Sequence, residues 1–261
     1  MAHLRCDFRS EVLDMNTSMT VILPEAPTLG KMGDVRVVYL LHGLADNCSG
    51  WSRYTSVERY ARKYNLALVI PEVQRSFYFD MVYGLKYFTF VHDELRNICE
   101  GFFGFSDERN HNYIMGLSMG GYGSLKCAFT TPLHYAGVAA FSAVTDISAM
   151  VDGVKEIGTD GLRTKDCNRR EFRAIFGPDC SLNDADDLFK LVARSDAQDL
   201  PALFLACGEN DSLFEQSRDL YQTLASKGAD VAFEHWSGAH DWDFWDKAVC
   251  RAFDYFFGEK G

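Results

Sequence analysis

An α/β fold, with a mostly parallel central sheet and helices on both faces, is predicted by three observations. Short apolar runs alternate with helix-period segments along the chain. Some runs, such as Ala202-Leu203-Phe204-Leu205-Ala206-Cys207, are apolar throughout, as a strand buried on both faces requires. No internal repeat or low-complexity linker interrupts the alternation. At 261 residues and 47% hydrophobic composition, the chain fits one domain, 1–261, with a sizeable core.

Residues 3–8 and 19–23 read as an antiparallel edge pair, with Pro24 and Pro27 ending the second strand. A strand over 35–41 leads to a helix near 52–64. Leu66-Ala67-Leu68-Val69-Ile70 is a strand ended by Pro71. Phe88, Val91, Leu95, Ile98 and Phe102 recur at helical spacing, which predicts an amphipathic helix over 86–102. A strand at Tyr113-Ile114-Met115 and a helix over 122–129 follow, then strands at 137–141, 202–207 and 231–236. The last helix carries Trp245, Ala248, Val249, Ala252, Phe253 and Phe256 on one stripe. The segment 142–197 differs: it is rich in charge and broken by Gly153, Gly158, Gly161 and Gly177. Short helices fit 169–176 and 184–192. Its position between two sheet strands, at the end where ligands bind, reads as a small helical lid; a plain solvated connection is the alternative.

Gly116-Leu117-Ser118-Met119-Gly120-Gly121 sits between a strand and a helix. That is the context in which a serine is held in a sharp turn as a nucleophile. The Met119 amide then lies at a helix N-terminus, free to stabilise an oxyanion. A serine hydroxyl needs an imidazole to take its proton and a carboxylate to orient the imidazole. In the chain order Ser, acid, His, both should follow later strands. The run 202–207 breaks into Gly208-Glu209-Asn210-Asp211, and 231–236 into Ser237-Gly238-Ala239-His240-Asp241. Asp211 is the expected acid, with Glu209 its competitor, and His240 the expected base. Asp241 reads as the N-cap of the last helix. A second oxyanion amide is expected from Leu44, after the strand 35–41 and the turn His42-Gly43. The aromatic stretch Phe77-Tyr78-Phe79-Asp80-Met81-Val82-Tyr83 also follows a strand end. Its rings would wall a substrate pocket, stacking on a sugar or aryl group, or pack beneath the lid; a mixture is expected, with Asp80 and Tyr83 nearer the pocket.

The chain resembles the esterase D / tributyrin esterase branch of the α/β-hydrolases. The likeness is carried by Leu40-Leu41-His42-Gly43-Leu44 with Trp51 downstream, Arg75 to Met81, Gly84 to Phe88, Asp93-Glu94-Leu95, Gly116 to Gly123, Cys207 to Asp211 and Gly238 to Trp242. These pieces span nearly the whole chain in order. The resemblance implies a serine carboxylesterase for short acyl groups. It carries the nucleophile to Ser118, the acid to Asp211, the base to His240 and the oxyanion amides to Leu44 and Met119. Trp51 joins Asp80 and Tyr83 as a candidate substrate contact. Some relatives deacylate acetylated or feruloylated sugars and others cleave S-formylglutathione. The latter usually show a Ser-Gly-Leu-Thr-Cys-like stretch where this chain has His42-Gly43-Leu44-Ala45-Asp46, which weakens the thioesterase alternative. An acyltransferase would use the same triad.

A net charge of −11 argues against nucleic acid and anionic membrane partners. No apolar run approaches the ~20 residues of a membrane span, and no signal peptide is visible. The eight cysteines are scattered, without a C-x-x-C or a His/Cys cluster. They read as mostly reduced core residues of a cytoplasmic protein, with a bridge between Cys167 and Cys180 left open. The expected partner is a small-molecule or saccharide ester; no metal or organic cofactor is expected, and a homo-oligomer is left open.

Overall fold

The computed structural model describes residues 1–25, 31–156 and 163–258, without the side chains of 153–156 and 163–169. An eight-stranded sheet runs in the order β1-β2-β4-β3-β5-β6-β7-β8. β1 (Ala2–Ser10) and β2 (Met15–Leu23) form an antiparallel edge, longer than the sequence predicts, and β2 pairs antiparallel with β4. The remaining pairs are parallel: β3 (Val37–Leu41), β4 (Ala67–Pro71), β5 (Asn112–Leu117), β6 (Gly137–Phe141), β7 (Ala202–Gly208) and β8 (Val231–Trp236).

Side-chain alternation divides the core between the two faces. Val37, Tyr39 and Leu41 enter one apolar cluster; Val38 and Leu40 enter the other. The second face is covered by α1 (Gly50–Tyr54), α2 (Val57–Lys63) and α10 (Trp242–Phe257). The first is covered by α3 (Tyr87–Thr89), α4 (Leu95–Phe103), α5 (Met119–Thr130), α6 (Ile147–Glu156), α7 (Arg163–Phe176), α8 (Leu188–Arg194) and α9 (Phe214–Lys227).

Three elements differ from expectation. The helix predicted over 52–64 is split at Thr55-Ser56, because the Ser56 amide donates to Asp246 Oδ1 at 2.7 Å instead of continuing α1. The helix predicted over 86–102 contains a π turn at Phe90–Glu94. Glu94 uses its carboxylate there to hold the Ser10 hydroxyl and the Glu11 and Val12 amides of the β1–β2 hairpin. The sequence reading assigns nothing to α9, whose apolar stripe is thin: of its side chains only Ser217, Leu220 and Leu224 are buried.

Phe77, Tyr78, Phe79 and Tyr87 are all buried in the first-face core. They are therefore packing residues, so the packing half of the expectation holds for these rings and the stacking half is corrected. Trp51 is corrected likewise. It is 0% exposed, donates its indole N–H to Leu41 O at 3.0 Å and packs edge-on against Phe141. Cys6, Cys48, Cys99, Cys127, Cys180, Cys207 and Cys250 are free thiols. The Cys167 side chain, and with it the proposed pairing to Cys180, lies outside the described residues.

One buried charge ties α5 to the segment before α8. Lys126 is 3% exposed, lies over the Phe79 ring at 3.8 Å and donates to Asp186 Oδ1 at 2.8 Å. Burial lowers its pKa, and Asp186 opposes that shift. Removing one partner of such a pair strands the other in a low dielectric. Asp186→Ala should therefore destabilise the fold by about 3 kcal/mol, and the double variant with Lys126→Met should regain part of that. Denaturant midpoints of the two variants provide the check.

Candidate active site

Between β5 and α5 the chain turns at a single residue. Ser118 takes φ 51° and ψ −115°, a left-handed conformation that costs a non-glycine residue roughly 1–3 kcal/mol. Hydrogen bonds hold it there: its amide donates to Phe141 O at 2.9 Å and its carbonyl accepts from Tyr122 N at 3.1 Å. The turn is also wedged against β3. A Cβ on Gly120 would stand 2.5 Å from Leu41 O, and one on Gly116 would stand 2.2 Å from Gly120 O. Only glycine permits backbones this close.

The candidate acid and base follow the last two strands, β7 and β8, and their loops are joined. Glu209 N donates to Trp236 O and Asn210 N to Gly238 O, each at 3.0 Å. His240 Nδ1 lies 2.8 Å from Asp211 Oδ2, and His240 Nε2 lies 3.0 Å from Ser118 Oγ. The Asp211 side chain is 0% exposed and the His240 side chain 38% exposed. Burial alone would raise the Asp211 pKa. Hydrogen bonds from His240 and from the Leu213 amide, at 2.9 Å, outweigh it and hold the carboxyl below its usual range. Ionised Asp211 can only accept, so Nδ1 carries the imidazole proton and Nε2 is left to accept from the serine hydroxyl. Trp245 packs edge-on against His240 with centroids 5.0 Å apart.

The competing acid is engaged elsewhere: Glu209 Oε1 lies 2.9 Å from His235 Nδ1, and both side chains are half exposed. Asp241 accepts from Phe244 N at 3.0 Å, as an N-cap of α10 should.

Gly43 brings the turn after β3 beside the serine, since a Cβ there would lie 3.8 Å from Ser118 Cβ. The amides of Leu44 and Met119 donate to no acceptor among the described residues. His42 supports this turn from beneath. Its Nδ1 donates to Gly43 O at 2.8 Å and its Nε2 accepts from Val73 N at 3.2 Å, so the ring is neutral, and burial lowers its pKa. Arg75 grips the turn from outside. Its guanidinium donates to Leu44 O at 3.3 Å and, in a two-pronged contact, to both carboxylate oxygens of Glu171 on α7. Sequence reasoning gave Arg75 no role, because its partner is 96 residues away.

The remaining substrate candidates are Asp80 and Tyr83. Asp80 is committed to Thr89, whose amide and hydroxyl it accepts at 2.9 and 2.6 Å. It borders a cavity of about 260 Å³ with Phe88, Lys126 and Phe176, and Ser118 is not among that cavity's lining residues. The Tyr83 ring is 65% exposed, while its amide donates to Ala174 O on α7 at 2.9 Å. Among the described residues no three His, Cys, Asp or Glu side chains gather as metal ligands, and no helix is long and apolar enough to cross a membrane.

Comparison with known proteins places this geometry in context. A family model described as putative esterase matches residues 10–256. An acetyl esterase of Caldicellulosiruptor saccharolyticus is 32% identical over 265 residues, covering 98% of each chain. The substrate-bound fluorophosphonate-binding serine hydrolase F of Staphylococcus aureus superposes with a TM-score of 0.84 at 30% identity over 99% of each chain. An S-formylglutathione hydrolase of Staphylococcus aureus superposes at 0.82, with 30% identity over 98% of each chain.

The two carboxylates can be told apart by the reactivity of Ser118 toward a fluorophosphonate probe. Asp211→Asn should slow labelling about 10⁴-fold, since an amide cannot hold the imidazole in its tautomer. Glu209→Gln should leave the labelling rate within about threefold of wild type, because its hydrogen bond goes to His235. Mass spectrometry of labelled protein over time distinguishes them, and the reverse ranking would make Glu209 the acid.

Proposed function

The chain belongs to the putative esterase family and is a serine carboxylic ester hydrolase; on that premise we propose that Ser118, His240 and Asp211 carry the hydrolysis of short-chain acyl esters. The observation that carries this reading is the unbroken hydrogen-bonded relay from Ser118 Oγ through His240 to Asp211 Oδ2.

In this mechanism Ser118 Oγ attacks the ester carbonyl as His240 Nε2 takes the hydroxyl proton. The imidazolium is stabilised by buried, ionised Asp211. The carbonyl oxygen becomes an oxyanion and is met by the Leu44 and Met119 amides, the second reinforced by the N-terminus of α5. His240 then gives its proton to the alcohol, which departs and leaves an acyl-enzyme. Water, deprotonated by His240, releases the acid and restores Ser118. The strained backbone of Ser118 supports the assignment, because strain of this kind is retained where a turn must present a nucleophile.

The described parts of segment 142–197, residues 142–156 and 163–197, act as a lid in this reading, with 157–162 outside the described residues. The contact of Arg75 with both Glu171 on α7 and Leu44 O supports it, by tying that helix to the oxyanion turn. The likeness to an acetyl esterase over 98% of both chains supports a short acyl group, and a small alcohol, saccharides included, fits the same reading. Buried free thiols at Cys48, Cys99, Cys127, Cys180 and Cys207 support a reducing, cytoplasmic setting.

Ser118→Ala should keep the wild-type melting transition and lose hydrolysis by a factor on the order of 10⁶. Near-normal turnover would overturn the assignment. Across a series of p-nitrophenyl esters, kcat/KM should peak at about two to four acyl carbons and fall beyond. A maximum at long chains would point to an open groove. Faster turnover of S-formylglutathione than of every oxygen ester would move the reading to a thioesterase.

A further inference from the structure

The mechanism above leaves one buried serine beside the triad without a role. β6 runs into Ser142, which holds a left-handed backbone, φ 45°, as Ser118 does at the end of neighbouring β5, φ 51°. A residue with a side chain keeps such a conformation only where its surroundings fix it. Here the fixing contacts run to both sides. Phe141 O accepts from Ser118 N at 2.9 Å, and Ser142 N donates to Ala206 O on β7 at 2.8 Å. Past the kink, Val144 N donates to Ser118 O at 3.4 Å. Thr145 then grips Gln216 on α9, its amide donating to Oε1 and its hydroxyl to the carbonyl, each at 2.7 Å. Ser142 therefore stands between the turn of the nucleophile and the strand whose end leads to Asp211.

The side chain is sealed in. Ser142 is 0% exposed, and its hydroxyl has no partner of ordinary hydrogen-bond geometry among the described residues. It faces the Asp211 carboxyl and the Cys207 thiol. Burial and the Asp211 charge push that thiol up to about 12, so it stays protonated and offers its S–H to the serine oxygen. The proton of the serine is then left for the carboxylate. Asp211 has room for it: Oδ2 pairs with His240 Nδ1 and Oδ1 accepts from Leu213 N, while a carboxylate accommodates about four donors. A buried hydroxyl left unpaired is unfavourable, and hydrogen bonds of an active site commonly tighten only when substrate engages.

We propose that Ser142 is a positioning residue for the triad, its hydroxyl donating a third hydrogen bond to Asp211 from the β6 side as His240 takes up the serine proton; this rests on the esterase mechanism above. The His240 and Leu213 bonds reach one carboxylate oxygen each, and a third donor from another strand resists rotation of the carboxyl away from the imidazole. It also spreads the negative charge. A carboxylate with three donors is less basic than one with two, so the imidazole beside it is protonated less readily in the resting enzyme and Nε2 stays free to accept. Ser217 on α9 supplies the contrast. It is buried, its hydroxyl likewise lacks a partner among the described residues, and it faces the same thiol, whereas the hydrogen bonds to the Asp211 carboxyl come from His240, Leu213 and Ser142.

Hydrolysis of p-nitrophenyl acetate by the full chain, followed across the pH range in which histidine titrates, tests the role. Ser142→Ala should lower kcat about tenfold with KM within about twofold of wild type. Loss of the donor makes Asp211 more basic and raises the imidazole pKa, so the acid limb of the kcat/KM profile should move up by about half a pH unit. Ser142→Gly, at ease in a left-handed backbone, should show the same two changes and melt no lower than Ser142→Ala. Ser217→Ala should keep the wild-type kcat and acid limb. A wild-type kcat and acid limb in Ser142→Gly would overturn the proposal, because any loss in Ser142→Ala would then come from the backbone. Equal losses in Ser142→Ala and Ser217→Ala with an unmoved acid limb would make both hydroxyls merely structural and overturn it too. Should Ser142→Ala fail to fold, Ser142→Gly decides alone. Ser118→Ala is assayed beside them: hydrolysis that survives there overturns the triad reading itself, whatever the Ser142 variants do.

Discussion

The catalytic end of the sheet is placed by a contact between backbones. Gly120 lies against the carbonyls that end β3, and Gly116 lies against Gly120. With side chains at either position, α5 would stand farther from the sheet and Ser118 would relax from its left-handed turn. The contact therefore sets three things together. It strains the nucleophile, points the first amides of α5 toward the serine and brings the Gly43 turn alongside. The two amides proposed as oxyanion donors, on elements far apart in sequence, are thereby brought to the same end of the sheet. The Phe141 and Tyr122 hydrogen bonds then lock the strained residue in place.

The elements that carry the proposed triad were legible because each stands at a strand end, where apolar runs stop and small or polar residues begin. Ser118, Asp211 and His240 are such residues, and strand order alone brings their loops to one edge of the sheet. The choice between Asp211 and Glu209 was a matter of direction, and the structure gives its physical basis: Glu209 turns outward to His235, while Asp211 turns inward and is buried. Patterning failed where burial depends on distant partners. Phe77 to Phe79 and Trp51 look like pocket walls in sequence, yet they are sealed by Phe172, Phe176, Tyr122 and Phe141. Helix α9 was missed because few of its side chains face the core.

Long-range polar contacts do the remaining positioning. Lys126 and Tyr122, on the buried side of α5, both reach Asp186, one through its carboxylate and one through its carbonyl. The helix that follows the nucleophile is thereby fastened to the segment before α8. Arg75 makes the second fastening, between α7 and the Leu44 carbonyl. A peptide whose carbonyl is held by a guanidinium has its amide polarised and its plane fixed, which is the preorganisation an oxyanion donor needs. The same guanidinium thus holds α7 and the Leu44 peptide in one polar contact.

The loops after β7 and β8 are stitched by the Glu209–Trp236 and Asn210–Gly238 backbone hydrogen bonds. Asp211 and His240 are therefore tied to each other by backbone as well as side-chain hydrogen bonds. Sequence drift within one loop would carry the other with it, so the distance between the carboxylate and the imidazole is buffered against change.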